Sequence, residues 1–99
     1  MAVCASAGAS VDEARQIVDR AQPLRCEVLA LEAGVKAAPA GSGEAAALGA
    51  RLDEAKALLK YHYLATMDEY IAVMKQLPFE ERQAVYRYDH AVAGRCPPR

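Results

Sequence analysis

The feature that most constrains this chain is an apolar seam that continues through a proline. Ala14, Ile17, Ala21, Leu24, Val28, Leu31 and Val35 recur at alternating spacings of three and four. Such a series lines one side of an α-helix and turns it toward a second helix, in the manner of a coiled-coil seam. Pro23 falls inside it. A proline in a helix interior removes one hydrogen bond and crowds the preceding turn. The apolar register is the same on both sides of Pro23, so the sequence predicts one kinked helix rather than two. Ser10-Val11-Asp12-Glu13 supplies a capping box at its start, in which the Ser10 hydroxyl and the Glu13 carboxylate each satisfy a backbone donor. Gly34, Pro39, Gly41, Ser42 and Gly43 then break the pattern, so the first helix spans about residues 11–36.

A second stripe runs through Leu48, Leu52, Ala55, Leu59, Tyr63, Met67, Tyr70, Met74 and Leu77. Its mean spacing is close to the helical repeat of about 3.6, which predicts one long, nearly straight helix over about 44–77. Leu77-Pro78 ends it, because the residue before a proline is driven out of the helical region. Pro78, Glu80 and Glu81 suit the first turn of a third helix over about 79–93, with Gly94 as its stop and Phe79, Val85, Tyr88 and Val92 facing inward. Residues 1–9 and 95–99 read as disordered ends of a single helical domain, 10–94. The predicted fold is all-α: a long antiparallel helical hairpin plus a shorter third helix, a three-helix bundle.

The short connection between the first two helices sets Lys36 near Glu44, and Val11 near Glu69. The tighter turn at Pro78 is expected to fold the third helix back along the second as far as Tyr63. Residues Leu58 to Met74, apolar nearly all round the helix, would then hold the main core. Met67 and Tyr70 would be sandwiched there between three helices. At about 15 residues the third helix cannot reach the hairpin loop. The apolar run there, Cys26, Val28, Leu29 and Leu31, facing Leu48 and Leu52, is wider than a lone helix pair requires. The sequence therefore predicts a partner-binding surface at the loop end made of Cys26, Val28, Leu29, Leu31, Leu48 and Leu52, occupied by another protein or a second copy of the chain.

Ninety-nine residues make one domain with a modest core. Apolar residues are 54% of the chain, charged residues 25% with both signs interspersed, and the net charge is -1. No basic stripe for nucleic acid and no polybasic membrane patch stands out. No run approaches the roughly 18 apolar residues of a membrane span, and Met1 to Ser10 has neither a basic start nor an apolar stretch suited to a secretory signal. Cys4, Cys26 and Cys96 are odd in number and far apart, without the close pairing of a zinc or redox motif. They are read as unpaired thiols in a reducing, intracellular and cytoplasmic setting.

Candidate chemistry is sparse. His62 and His90 each have polar neighbours in sequence, but adjacent helix positions point about 100° apart and do not converge. A site shared by the two histidines would need the third helix to return as far as His62. The acidic pairs Asp12-Glu13, Asp53-Glu54, Asp68-Glu69 and Glu80-Glu81 lack the glutamate and histidine, three positions apart, of a di-metal bundle. Cys26 has no base near it on its own helix. The expected function is that of a non-enzymatic helical interaction module, an adaptor or small subunit, with no cofactor and no metal. Two alternatives stand beside it: a small helical enzyme or ligand-binding bundle around Tyr63, Met67, Tyr86 and His90, and a chaperone cofactor or regulator binding a folded partner through charged faces of helices two and three.

Overall fold

The computed structural model describes residues 9–97, and the remaining residues of both predicted disordered ends lie outside the described residues. Three helices run in order: α1, Val11–Ala37; α2, Gly43–Lys75; and α3, Phe79–Ala93. Among the described residues there is no strand. The molecule is a rod of 62 × 22 × 21 Å, its length set by the 33 residues of α2, which at 1.5 Å per residue span about 50 Å.

The caps follow from local chemistry. Ser10 Oγ accepts from the Glu13 amide at 3.1 Å, and Ser42 Oγ accepts from the Ala45 amide at 3.0 Å, each satisfying a donor that the first turn leaves open. Between α1 and α2 the chain turns with the Ser42 amide donating to the Pro39 carbonyl. Gly41 takes φ 75 there, a conformation that a side chain would strain. At the far end α2 stops at Lys75, short of Leu77. The Gln76 and Leu77 amides tighten onto Val73 and Met74, and Pro78 caps α3 from extended backbone. Pro23 lies inside an unbroken α1, as the continuous register required.

Two apolar clusters hold the hairpin together. At the loop end Val28, Leu31 and Ala55 are buried, with Leu48, Leu52 and Leu59 packed on them. Leu48 sits over Gly34, where a Cβ would meet its Cδ1 at 3.4 Å. At the Pro78 end Ala14, Ile17 and Val18 of α1 meet Val73 and Met74 at the end of α2, Leu77 just beyond it and Val85 of α3, with Tyr70, Tyr88 and Val92 around them. Across the hairpin Arg20 bridges to Glu69 at 2.8 Å, where the short connection had been expected to set Val11.

α3 departs from the expected path by packing chiefly on α1, not α2. Val85, fully buried, anchors it in the core, and its polar bonds go to α1. Tyr88 donates to Asp19, Arg25 pairs with Asp89, and Gln22 donates to the carbonyls of Val92 and Arg95. Consequently the middle of α2 is not sandwiched. Met67 is 47% exposed, and the three-helix core lies about two to three turns further along, at Val73 to Leu77.

The reading of Cys26 and Cys96 as unpaired thiols is overturned. Cys26 and Cys96 form a disulfide, their Cα atoms 5.5 Å apart. The physical reason is the path of α3, which returns along α1 and delivers Cys96 to the flank carrying Cys26. The tail read as disordered is therefore tied down over 95–97. A disulfide persists in oxidising surroundings, so the cysteine-based argument for a reducing compartment no longer holds. Cys4 lies outside the described residues.

Candidate functional site

Where the three helices diverge, a cavity of about 210 Å³ opens between Ile17, Val18 and Ala21 of α1 and Met67 and Tyr70 of α2. Its polar wall is made by Arg25, His62, Tyr63, Thr66 and Asp89. α1 brings Arg25 to this wall because it sits one turn beyond the buried Ala21, on the flank facing α3. The guanidinium reaches both other helices, with Nε donating to the Tyr63 hydroxyl at 2.8 Å and Nη2 to Asp89 Oδ1. It also lies 5.9 Å from the centre of the Tyr63 ring, within the range of a cation–π contact.

The Arg25 side chain is 15% exposed and that of Asp89 34%. Burial works against the Arg25 charge, but the bonds to Tyr63 and Asp89 outweigh it and hold the guanidinium above its ordinary value. The Tyr70 hydroxyl is pushed up, first by burial and then by the negative charge of Asp89 and by Tyr86, with Arg25 opposing. His62 Nε2 is buried and has no hydrogen-bond partner. The Thr66 hydroxyl is engaged with the carbonyls of His62 and Tyr63. Asp89, already paired with Arg25, is poorly placed to act as a free base.

The two histidines are not brought together: His62 lines the cavity, and His90 is exposed elsewhere on α3. Tyr63 and Met67 line it as well, whereas Tyr86 does not. Arg25, Gln22 and Asp89 were not legible as site residues, since their meeting depends on α3 choosing α1. The only hint in sequence is a charge set in the apolar run Leu24-Arg25-Cys26. Among the described residues no group of three or more histidine, cysteine, aspartate or glutamate side chains could hold a metal. No helix there is long and apolar enough to cross a membrane.

The six residues expected at the loop-end surface separate. Val28 and Leu31 are buried inside the hairpin, with Leu48 and Leu52 half-buried against them. The chain's own seam therefore uses these four. Cys26 is in the disulfide, and Cys96 and Pro97 line a groove with Leu29, Ala30 and Ala33, so the tail covers part of the flank that seemed bare. Leu29 is left 42% exposed.

Most large exposed apolar side chains lie elsewhere. Leu58, Tyr61, Leu64, Met67 and Ile71 are exposed along α2, and Phe79 and Tyr86 on α3. By helix geometry Leu64 and Ile71 point away from Ala55, Leu59, Tyr70 and Val73, which face α1. This outer face is bare because α3 crosses to α1 instead of lying along α2. Compared with family models, curated proteins and solved structures, the chain matches none.

Proposed function

We propose that this chain is a non-enzymatic helical interaction module, an adaptor or small subunit of a larger assembly, and that it docks a protein through the outer face of α2. The observation that carries this is the exposure of Leu64 and Ile71 at 54% and 43%, with Met67 at 47% on the flank, on a helix whose opposite side packs on α1. Contiguous apolar surface on a folded domain usually marks a contact. Leu29 remains a smaller candidate at the loop end, since its neighbours Val28 and Leu31 serve the hairpin itself.

A photo-reactive amino acid placed in turn at positions 64, 71 and 29 in the source cell tests the choice of face. Protein adducts, identified by mass, are expected at 64 and 71. Adducts at 29 alone, or at none of the three, would remove the α2 face from consideration.

A second reading, a bundle that binds a small ligand, is favoured by His62. Its partnerless buried Nε2 lines a cavity whose other walls are largely apolar, a combination suited to a compact apolar molecule carrying one hydrogen-bonding group. Titration with a library of such compounds, followed by the His62 ring resonances, tests this reading. Unmoved resonances at millimolar compound would sink it.

A further inference from the structure

The outer face of α2 carries a pattern with mirror symmetry about Leu64. Four residues away on either side stand Lys60 and Asp68, seven away Ala57 and Ile71, and eleven away Asp53 and Lys75. At 100° per residue these seven positions fall within about 80° of one side of the helix, and all seven are exposed. Each apolar position has an apolar mirror, and each charge has a mirror of opposite sign. None of the four charges takes part in an ion pair among the described residues.

From this we infer that α2 packs on α2 of a second copy of this chain, antiparallel, with a two-fold axis through Leu64. The inference rests on the reading that this face docks protein. In an antiparallel pair centred on Leu64, residues equidistant from the centre meet across it, as the two seam positions do in layers of an antiparallel coiled coil. Lys60 of one copy then faces Asp68 of the other, Asp53 faces Lys75, Ala57 faces Ile71, and the two Leu64 side chains meet on the axis. Two-fold symmetry produces every one of these contacts twice, as an isologous interface must. A parallel, in-register pair would set Lys60 on Lys60 and Asp68 on Asp68, so the charges select the antiparallel arrangement. The paired stretch, residues 53–75, is 23 residues, about 33 Å of helix from end to end. Its apolar content is limited to Leu64, Ile71 and Ala57, with Met67 on the flank, which fits a reversible dimer.

Analytical ultracentrifugation from about 1 µM to about 1 mM protein tests the proposal, with an expected passage from monomer to dimer and no further. K60D and D68K each turn two attractions into two repulsions, so each alone should weaken self-association about tenfold or more. Both changes are at exposed positions, and unchanged helicity by circular dichroism verifies the fold. An equimolar mixture of the two variants should dimerise again, because each altered charge now meets its opposite on the other chain. Failure of the mixture to recover overturns the register. A wild-type chain that stays monomeric throughout, or assembles beyond two, overturns the dimer. In the monomeric case, adducts to a different protein at position 64 would leave the docking face standing, and their absence would remove both readings.

Discussion

Cys26, in the middle of α1, is bonded to Cys96, three residues past the end of α3, across 70 positions of sequence. Immediately beside this link, Gln22 donates to the carbonyls of Val92 and Arg95, so one covalent bond and two hydrogen bonds fasten the end of α3 to a single turn of α1. A cross-link closing so long a loop removes much conformational freedom from the unfolded chain, by about 4 kcal/mol in the chain-entropy model. Replacing both cysteines by serine should cost about 2–4 kcal/mol in urea unfolding, and reduction of the wild type should reproduce the loss. Equal stability of the oxidised and reduced chains would show that the bond contributes nothing to the fold.

The position of the core gives a contrast between two methionines. Met74 is buried among all three helices and Met67 is half-exposed on α2. Met74→Ala should cost about 2–5 kcal/mol, because it leaves a cavity that the surroundings cannot fully close. Met67→Ala should cost under about 1 kcal/mol. Equal losses in denaturant unfolding would place the core nearer the middle of α2, where the sequence alone had set it.

Arg25 joins the three helices, and Asp89 is its charged partner. Asp89→Ala leaves the partly buried guanidinium with Tyr63 and Gln22 only. The expected cost is about 1–3 kcal/mol, with faster amide exchange in α3 than in α2. Asp89→Asn should restore part of it. A neutral Asp89→Ala variant would mean that Tyr63 and Gln22 suffice to hold Arg25.

Tyrosine ionisation sets the alkaline limit. Tyr70 is raised above its ordinary value by burial and by Asp89, and Tyr88 is raised chiefly by its hydrogen bond to Asp19. A raised folded value means that the stabilisation is complete below the unfolded tyrosine value of about 10 and is lost as pH climbs through the folded values. Melting temperature should therefore fall from about pH 10 upward, and less steeply in Tyr70→Phe. An identical slope in wild type and Tyr70→Phe would remove Tyr70 from this effect.

Pro23 interrupts no register, yet it costs α1 one hydrogen bond. Pro23→Ala should raise stability by up to about 3 kcal/mol. A loss in thermal unfolding would show instead that the proline at this position is needed for Gln22 and Cys26, on either side of it, to reach the tail of α3.

Three helices, the Ser10 cap and the helix limits to within about two residues were legible in the amino-acid order, because helix periodicity, a serine cap and the proline stop act over a few neighbouring positions. The loop-end seam of Val28, Leu31, Leu48 and Leu52 was legible as an apolar face, but whether it packed inward or bound a partner depended on what lay opposite. Tertiary structure alone decided the course of α3. The turn at Pro78 permits packing on either long helix, and the choice of α1 follows from contacts distant in sequence: Tyr88 with Asp19, Asp89 with Arg25, Cys96 with Cys26. That one choice closes the disulfide, gathers the Arg25 cluster and leaves Leu64 and Ile71 uncovered. No local pattern encodes it, because each pair is joined by a long loop whose closure is driven by the whole core and not by either residue.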